Sequence, residues 1–354
     1  MVRAHVLSGH DFSQWRKLHS EGHTPSALPY GVDVLERHGW SLSSAGRADH
    51  PAVVKLRNVV EHRTGMTVEQ PVRSIRGIAK SDLVLTLLER EAFLPGLVKG
   101  WRVPPFSKRP LVIWSCWLAD DLMRADTERR RWLIRRIQSA DLIAHLSRHE
   151  TEVFTSLGIH EDRLFTMTYG VSHDYYTPQS HERDISILAV GQDRGRDYGT
   201  LIEAVRDTRL TLDIVCKPDN LRGITLPENV RYHGTVPIPT YRRLLSRANV
   251  VAVPTTEMAY PTGSSVALEA ASSGCAVVVT GTRAMRDFFE DNRSARFVGE
   301  ADIHGWRIVL QELTDDPRQV ARLGEKGREV VVQRHNADYM WTELADTLTT
   351  RGIC

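Results

Sequence analysis

A Gly-containing turn stands directly before a helix-favouring run, and this arrangement is typical of anion binding. The turn is Thr262 to Ser265, the run is Val266 to Ser273, and Gly274 stands where a C-terminal cap would end the helix. Free backbone N–H groups and the positive end of the helix dipole favour an anion there, and Gly263 lets it approach the main chain. A phosphate group is therefore the predicted ligand.

Glu269 supplies the second part of the predicted chemistry. It follows Ser265 by four residues, which places both on one helical face with the carboxylate one turn deeper. A carboxylate accepts hydrogen bonds from the paired hydroxyls of a sugar. A phosphate at the helix N-terminus and a sugar diol at Glu269 are together the parts of a nucleotide. The alternative is that Ser264 caps an ordinary helix and Glu269 is a solvated surface residue.

Further basic residues follow two other predicted strands of the same half. Arg194 and Arg196 lie on a Gly-rich turn after Ile185 to Val190, where two guanidinium groups can clamp a diphosphate. They equally suit ion pairs with neighbouring aspartates. Lys217 follows the strand Leu212 to Cys216 and can reach the same cleft. The convergence of these donors favours one phosphate-binding site.

Strand, loop and helix alternate along the whole chain. Within Ala248 to Gly281, two apolar runs flank the turn and its helix, as in a βαβ unit with parallel strands. The first half alternates in the same way, which predicts two Rossmann-like, doubly wound α/β domains. We expect an N-terminal acceptor domain over 1–172, a linker over 173–184, a C-terminal donor domain over 185–336, and a final helix within 337–354 that packs back on the first domain.

Composition narrows the class of protein. The 354 residues exceed the usual size of one domain, and the 46 basic and 44 acidic residues give a net charge of only +2. Such a balance argues against a protein that coats nucleic acid. The four cysteines are far apart and lack CxxC spacing, so neither a disulfide framework nor a metal site is predicted, and a cytoplasmic location fits. The apolar runs are too short for a signal peptide or a membrane span.

Candidate acceptor contacts lie in loops of the first half. Asp11 follows the first predicted strand, and Trp117 and Asp120 follow the strand Leu111 to Ser115. Such loops line ligand clefts in open α/β sheets. Trp114 and Trp117 could stack on a sugar, although a tryptophan in an apolar run is more often part of the core.

The segment from Asp120 to Gln138 is predicted to be one long, arginine-rich helix. A basic amphipathic face can hold a protein at an anionic membrane, so peripheral membrane contact is one interpretation. Asp121, Asp126 and Glu128 share the segment, and a solvated charged face is therefore the alternative.

The second half resembles the GT-B nucleotide-sugar glycosyltransferases, in particular glycosyltransferase family 4. The resemblance covers roughly residues 165–335 and rests on the segments YGVSHDYYTP, VGQDRGRDYGTLIEA, NVRYHGTV and PTGSSVALEAASSGCAVVVTG, in consistent order and spacing. It implies two domains facing a central cleft, with the donor on the second domain and the acceptor on the first. It further implies transfer with retention of anomeric configuration, without an essential metal or cofactor.

Individual roles follow from the resemblance by position. Glu269 would bind the ribose, and Arg194 or Arg196 would stabilise the leaving diphosphate. The remaining donor contacts would be Lys217, Val236, Thr262, Gly263, Ser264, Ser265 and Val266.

Two departures from the family pattern matter. Pro261 stands eight residues before Glu269, where the family usually has a second acidic residue, and Glu257 is four residues too early to replace it. Gln192 stands where the family has an arginine, and Arg196 where it often has a lysine. The donor sugar and the retention of configuration therefore stay open.

Three hypotheses follow for the function. The first is a glycosyltransferase of hexosyltransferase type that uses a nucleoside diphosphate sugar, with a small-molecule aglycone, a lipid headgroup or a glycan as the acceptor. The second is a GT-B epimerase acting on the nucleotide sugar, which would need carboxylates for proton transfer. The third is a non-catalytic GT-B partner protein, a hypothesis that the proline at position 261 keeps open.

Overall fold

Two units divide the chain in the structure, a computed structural model that describes residues 1–48, 50–180 and 182–354. The first unit comprises Met1–Glu21, Ser26–Thr168 and Met340–Cys354, and the second comprises Gly22–Pro25 and Tyr169–Tyr339. The predicted linker over 173–184 includes position 181, which lies outside the described residues.

The first unit is built on a six-stranded parallel sheet with the order β2-β1-β3-β4-β5-β6. Its strands are β1 (Arg3–Ser8), β2 (Ser41–Ser43), β3 (Leu83–Leu87), β4 (Leu111–Trp114), β5 (Leu142–His145) and β6 (Leu164–Thr166). Its helices include α1 (Phe12–Ser20), α2 (Val34–Arg37), α3 (Pro51–Thr64), α4 (Glu69–Arg73), α5 (Ile75–Lys80), α6 (Phe93–Gly100), α7 (Leu118–Arg124), α8 (Thr127–Ile137) and α9 (Arg148–Ser156). The order reverses between β1 and β3, and such a switch point is where open α/β sheets bind ligands.

The second unit repeats this architecture with the order β12-β11-β10-β7-β8-β9, again with every pair parallel. Its strands are β7 (Ile185–Val190), β8 (Leu212–Val215), β9 (Val230–Tyr232), β10 (Ala248–Val253), β11 (Ala276–Thr280) and β12 (Arg296–Val298). The later helices are α10 (Tyr198–Val205), α11 (Ile238–Arg247), α12 (Ser264–Ser272), α13 (Ile303–Asp315), α14 (Pro317–Gln333) and α15 (Ala337–Thr350). The switch point here lies between β7 and β10.

Apolar layers cover both faces of the second sheet. Val251 and Val253 of β10 face one layer, whereas Val250 and Ala252 face the other. A strand buried on both faces needs a continuous apolar run, which is the pattern of β7, β10 and β11 in the sequence. The predicted doubly wound α/β architecture is confirmed in both units.

Local predictions failed where short-range bonds or tertiary packing decide the structure. The predicted single helix from Asp120 to Gln138 is two helices, because Asp126 is extended and caps α8 by accepting from the Arg129 amide at 2.7 Å. Helix α1 and strand β12 were not predicted.

The C-terminal segment belongs to the first unit. Trp341 of α15 is fully buried, donates from Nε1 to the Tyr30 carbonyl at 2.8 Å, and lies 5.9 Å from the buried Trp114 ring. The Thr168 amide donates to the Glu343 carboxylate at 2.8 Å. These contacts attach the last helix of the chain to the first unit.

Trp341→Ala should lower the free energy of unfolding of the first unit by about 3–5 kcal/mol, because it leaves a cavity and an unsatisfied carbonyl at Tyr30. Tryptophan fluorescence during urea unfolding is a suitable measurement, since Trp306 is the one tryptophan outside this unit. Tyr339→Ala on the same helix is the control, because its side chain is 40% exposed. Equal losses in the two variants would contradict this role of the C-terminal segment.

Candidate functional site

Two loops meet at the switch point of the second sheet and are joined through their main chains. Arg196, after β7, forms an antiparallel bridge with Thr255, after β10. The Thr256 amide donates to the Gly195 carbonyl at 2.9 Å, and the Asp197 amide donates to the Pro254 carbonyl at 3.1 Å. The loop that carries the arginines is therefore fixed against the loop that leads to α12.

Asp193 fastens the same two loops through its side chain. Its Oδ2 accepts from the Tyr260 hydroxyl at 2.8 Å and from the Thr262 hydroxyl at 3.2 Å. Its Oδ1 accepts from the Arg194 amide at 2.8 Å. Ion pairs with neighbouring aspartates were the alternative interpretation of the two arginines in the sequence. The hydroxyl partners of Asp193 lie some seventy residues away and left no local signal.

The Arg196 side chain lies across two glycines. Gly191 and Gly263 have φ values of 135° and 85°, which favour glycine, and a Cβ on either would collide with the Arg196 guanidinium. Among the described residues, no hydrogen-bond acceptor faces the buried Nε and Nη1 atoms of Arg196. A guanidinium held in place with free donors is suited to an anionic ligand.

The first turn of α12 lies beside this guanidinium. Gly263 is the N-cap and makes no side-chain capping bond, and Ser264 is the first helical residue rather than a cap. The amides of Ser265 and Val266 have no backbone acceptor among the residues that the structure describes. These donors point out of the helix N-terminus, where the helix dipole favours an anion.

Glu269, one turn further along α12, is half-buried and held by tyrosines. The Tyr241 hydroxyl donates to Glu269 Oε2 at 2.7 Å, and the Tyr176 hydroxyl also bonds to the carboxyl. Burial raises the pKa of Glu269 to about 7, opposed by these two hydrogen bonds and by the charge of Arg196. The charge of Arg196 acts on this carboxyl, so the two side chains lie close enough to interact electrostatically.

The two tyrosines were missed by sequence reasoning. Their rings pack edge to face with centroids 6.0 Å apart, and burial next to Glu269 raises the pKa of both hydroxyls. Tyr176 lies in the segment YGVSHDYYTP and Tyr241 lies in α11. No spacing rule links positions so far apart, so only the folded chain brings them to the carboxylate.

The other predicted donor contacts occupy different surroundings. Arg194 is exposed, with its guanidinium carbon 5.9 Å from the Tyr260 ring centroid. Lys217 is exposed on the loop after β8, and Val236 is half-buried against the apolar core. Thr262 is buried and bonded to the aspartate described above. The structure therefore brings together Arg196, Glu269 and the turn from Gly263 to Val266.

Glu257 lies in a separate set of contacts. Its carboxylate accepts from the Arg283 amide at 3.2 Å and lies 3.8 Å from the Arg283 guanidinium. Its own amide donates to Glu300 at 2.9 Å. This acid is engaged by the loops after β11 and β12, whereas the buried Pro261 occupies the position where the family usually has an acid.

A pocket of about 980 Å³ lies in the first unit, between the segment that follows β1 and the segment that follows β2. The lining residues are Gly9, His10, Asp11, Ser13, Gln14, Trp15, Lys17, Leu18, Arg47, Ala48, Val54 and Arg57. Asp11 is also the N-cap of α1 and accepts from the Ser13 hydroxyl at 2.5 Å and the Gln14 amide at 3.0 Å. The hydrogen bond from Ser13 is the main cause that lowers the pKa of Asp11.

The other two acceptor-side candidates do not line this pocket. Trp117 is half-buried at the start of α7, and Asp120 is buried and pairs with Arg124 at 2.8 Å. Trp114 is fully buried, which is the core placement that the sequence analysis gave as its alternative.

The described residues offer neither a metal site nor a membrane span. They contain no cluster of three or more His, Cys, Asp or Glu side chains that could hold a metal ion. Within the same residues, each helix is too short or too polar to cross a membrane.

Comparison with known proteins adds sequence and fold relatives. Residues 196–346 match a family described as glycosyl transferase-like. The MMP alpha-(1→4)-mannosyltransferase of Mycolicibacterium hassiacum is 25% identical over 210 residues, which is 55% of this chain and 50% of that protein. The chain thus spans about half the length of the curated relative that it matches.

Solved structures extend the similarity over both units. Anabaena HepE, solved in complex with UDP-glucose, has a TM-score of 0.70 at 14% identity and covers 99% of this chain and 100% of its own. Sucrose-phosphate synthase of Thermosynechococcus elongatus has a TM-score of 0.69 at 15% identity, covering 99% and 98%. The shared fold and the family match confirm the resemblance to GT-B glycosyltransferases, whereas membership of glycosyltransferase family 4 stays a prediction.

Proposed function

We propose that the protein is a glycosyltransferase that moves a hexose from a nucleoside diphosphate sugar to an acceptor hydroxyl. The observation that carries the proposal is the unpaired guanidinium of Arg196, held by Gly191 and Gly263 near the carboxyl of Glu269. The complex of the fold relative HepE with UDP-glucose and the name of the mannosyltransferase relative support a hexose nucleotide as the donor.

The proposed chemistry follows from charge. Breaking the bond between the sugar and the diphosphate leaves an additional negative charge on the diphosphate. The guanidinium of Arg196 and the amides of Ser265 and Val266 would stabilise that charge by donating hydrogen bonds to it. They are preorganised, because they need not first break hydrogen bonds to other acceptors. Glu269 would accept hydrogen bonds from the ribose hydroxyls and thereby position the donor.

The acceptor and the stereochemistry complete the proposal. We assign the acceptor to the pocket of the first unit that begins at Gly9. The mannosyltransferase relative forms an α linkage, and from an α-configured donor such a linkage requires retention. Analysis of the anomeric configuration of the product by NMR tests this point.

The direct test of the function is nucleotide release from a panel of UDP-, GDP- and dTDP-sugars, with and without acceptor. A transferase releases the nucleotide in step with glycosylation of the acceptor. An epimerase would convert the nucleotide sugar without release, and a non-catalytic protein would leave the whole panel intact. Either of the last two outcomes contradicts the proposal.

Arg196→Ala should lower kcat by about a hundredfold to a thousandfold, because it removes donors that act on the charge of the leaving group. Donor affinity should fall less than kcat. Steady-state kinetics with the best donor from the panel measures both effects.

The matched control is Arg194→Ala, on the same loop but with an exposed side chain. Its effect should be much smaller than that of the Arg196 variant. Normal turnover after loss of Arg196 would remove this residue from the mechanism.

Donor binding should strengthen about tenfold between about pH 6 and pH 8. The pKa of Glu269 is about 7, so roughly nine-tenths of the carboxyl is protonated one pH unit below it, and the ionised form is the better acceptor for ribose hydroxyls. Calorimetry with an intact nucleotide sugar measures this dependence. Glu269→Gln should bind weakly and without this pH dependence; the same pH profile in that variant would assign the titration to another group.

Tyr241→Phe should move the midpoint of the same pH profile upward by about one to two pH units. The lost hydroxyl stabilises the ionised carboxylate of Glu269, and such a bond contributes about 1.5–3 kcal/mol. The aromatic ring and its packing stay in place. An unchanged midpoint would show that this tyrosine does not control the protonation of the site.

A further inference from the structure

Helix α3 of the first unit has two functionally different faces. Val54 and Arg57 on its inner face line the pocket of the first unit that begins at Gly9. On its outer face, Val53, Leu56 and Val59 are 40%, 65% and 45% exposed. None of the 14 residues of α3 is buried, so the helix is only lightly packed on the unit.

The apolar outer face is unusual for a helix in water. The outer face of a surface helix is normally polar, whereas here apolar residues repeat every three positions along it. Lys55, His62 and Arg63 are exposed beside this stripe. Exposed apolar residues with basic neighbours can contribute to binding at the surface of an anionic membrane.

The basic character continues on α8, which lies against the end of α3. A Cβ on Gly65, the C-cap of α3, would lie 3.7 Å from both Arg129 Nη1 and the Trp132 ring. Arg136 Nε lies 3.2 Å from the Met66 sulfur. The guanidinium carbons of Arg129 and Arg136 both lie over the Trp132 ring, at 3.9 Å and 3.5 Å from its centroid.

Local charge on this helix far exceeds that of the chain. Helix α8 carries five arginines and one acidic residue, whereas the whole protein has a net charge of +2. The arginines are Arg129, Arg130, Arg131, Arg135 and Arg136. Arg130 donates to the carbonyls of Leu122, Met123 and Ala125, whereas Arg129, Arg131 and Arg135 are exposed. We call the outer face of α3 together with these three exposed arginines the α3–α8 surface.

We propose that the α3–α8 surface docks the protein on a membrane that contains anionic lipids. The apolar stripe of α3 would enter the interface, and the three exposed arginines of α8 would face the lipid phosphates. A second copy of the chain is disfavoured as the occupant, because two such basic surfaces repel each other. Docking would place the pocket lined by Val54 and Arg57 at the lipid surface.

This inference rests on the proposed function, since it makes the acceptor a lipid-borne hydroxyl. Membrane binding would combine an electrostatic contribution and an apolar contribution, and experiments can separate the two. Each exposed basic residue near an anionic surface contributes about fivefold to membrane affinity, and this contribution weakens with salt. Leu56, the most exposed residue of the stripe, should contribute at least about tenfold.

The experiment is co-flotation of the full chain with vesicles of phosphatidylcholine alone or with about one third phosphatidylglycerol. The protein should float with the anionic vesicles, less so at high salt, and stay behind with the neutral ones. Leu56→Gln should weaken flotation at least about tenfold and Arg63→Gln about fivefold. Ile308→Gln and Arg318→Gln, at exposed positions of the second unit, are the matched controls and should float like the wild type.

Several results would overturn the proposal. These are no flotation with anionic vesicles, flotation unaffected by Leu56→Gln, or a wild-type dimer in gel filtration that this variant converts to a monomer. The last result would assign the stripe to a second copy of the chain. Thermal shift with nucleotide sugars, run on every variant, keeps the two claims separate, because donor binding in the second unit should persist whether or not the membrane proposal fails.

Discussion

The candidate site of the second unit is built around Arg196, whose buried Nε and Nη1 atoms have no hydrogen-bond partner among the described residues. Burying guanidinium donors without acceptors costs about 1–3 kcal/mol. The fold accommodates the side chain because Gly191 and Gly263, both at positive φ, carry no Cβ that would collide with the guanidinium, and because the bridge to Thr255 fixes the backbone of Arg196. An anionic ligand would supply the missing acceptors, so ligand binding would offset the free-energy cost of burying these donors.

Hydrogen bonding and burial give the two acids of the site, Asp193 and Glu269, different roles. Asp193 accepts from Tyr260 and Thr262, so its negative charge serves to join two loops. Glu269 is held by tyrosines, which keep it ionisable near neutral pH despite its burial. One acid thus fixes the geometry of the site, and the other is available to a ligand.

Predictions from the sequence succeeded where short-range patterns of residues determine the local structure. Apolar runs followed by glycine and basic residues predicted the parallel strands and the turn before α12, because both arise from short-range constraints. Tyr176, Tyr241 and the bonding of Asp193 could not be predicted, since they depend on contacts between distant segments. Nor could spacing distinguish the exposed Arg194 from the enclosed Arg196, because only the neighbouring glycines decide which side chain enters the crevice.

The central claim is that Arg196 binds a diphosphate, and it is tested most directly by calorimetric comparison of a nucleoside diphosphate with its parent nucleoside. For the wild type, the diphosphate should bind much more tightly than the nucleoside. In Arg196→Ala this affinity ratio should fall at least about tenfold while nucleoside binding is unchanged, since only the charge-assisted bonds to phosphate are lost. An unchanged ratio would contradict the account, because the unpaired guanidinium would then have no part in holding the phosphates.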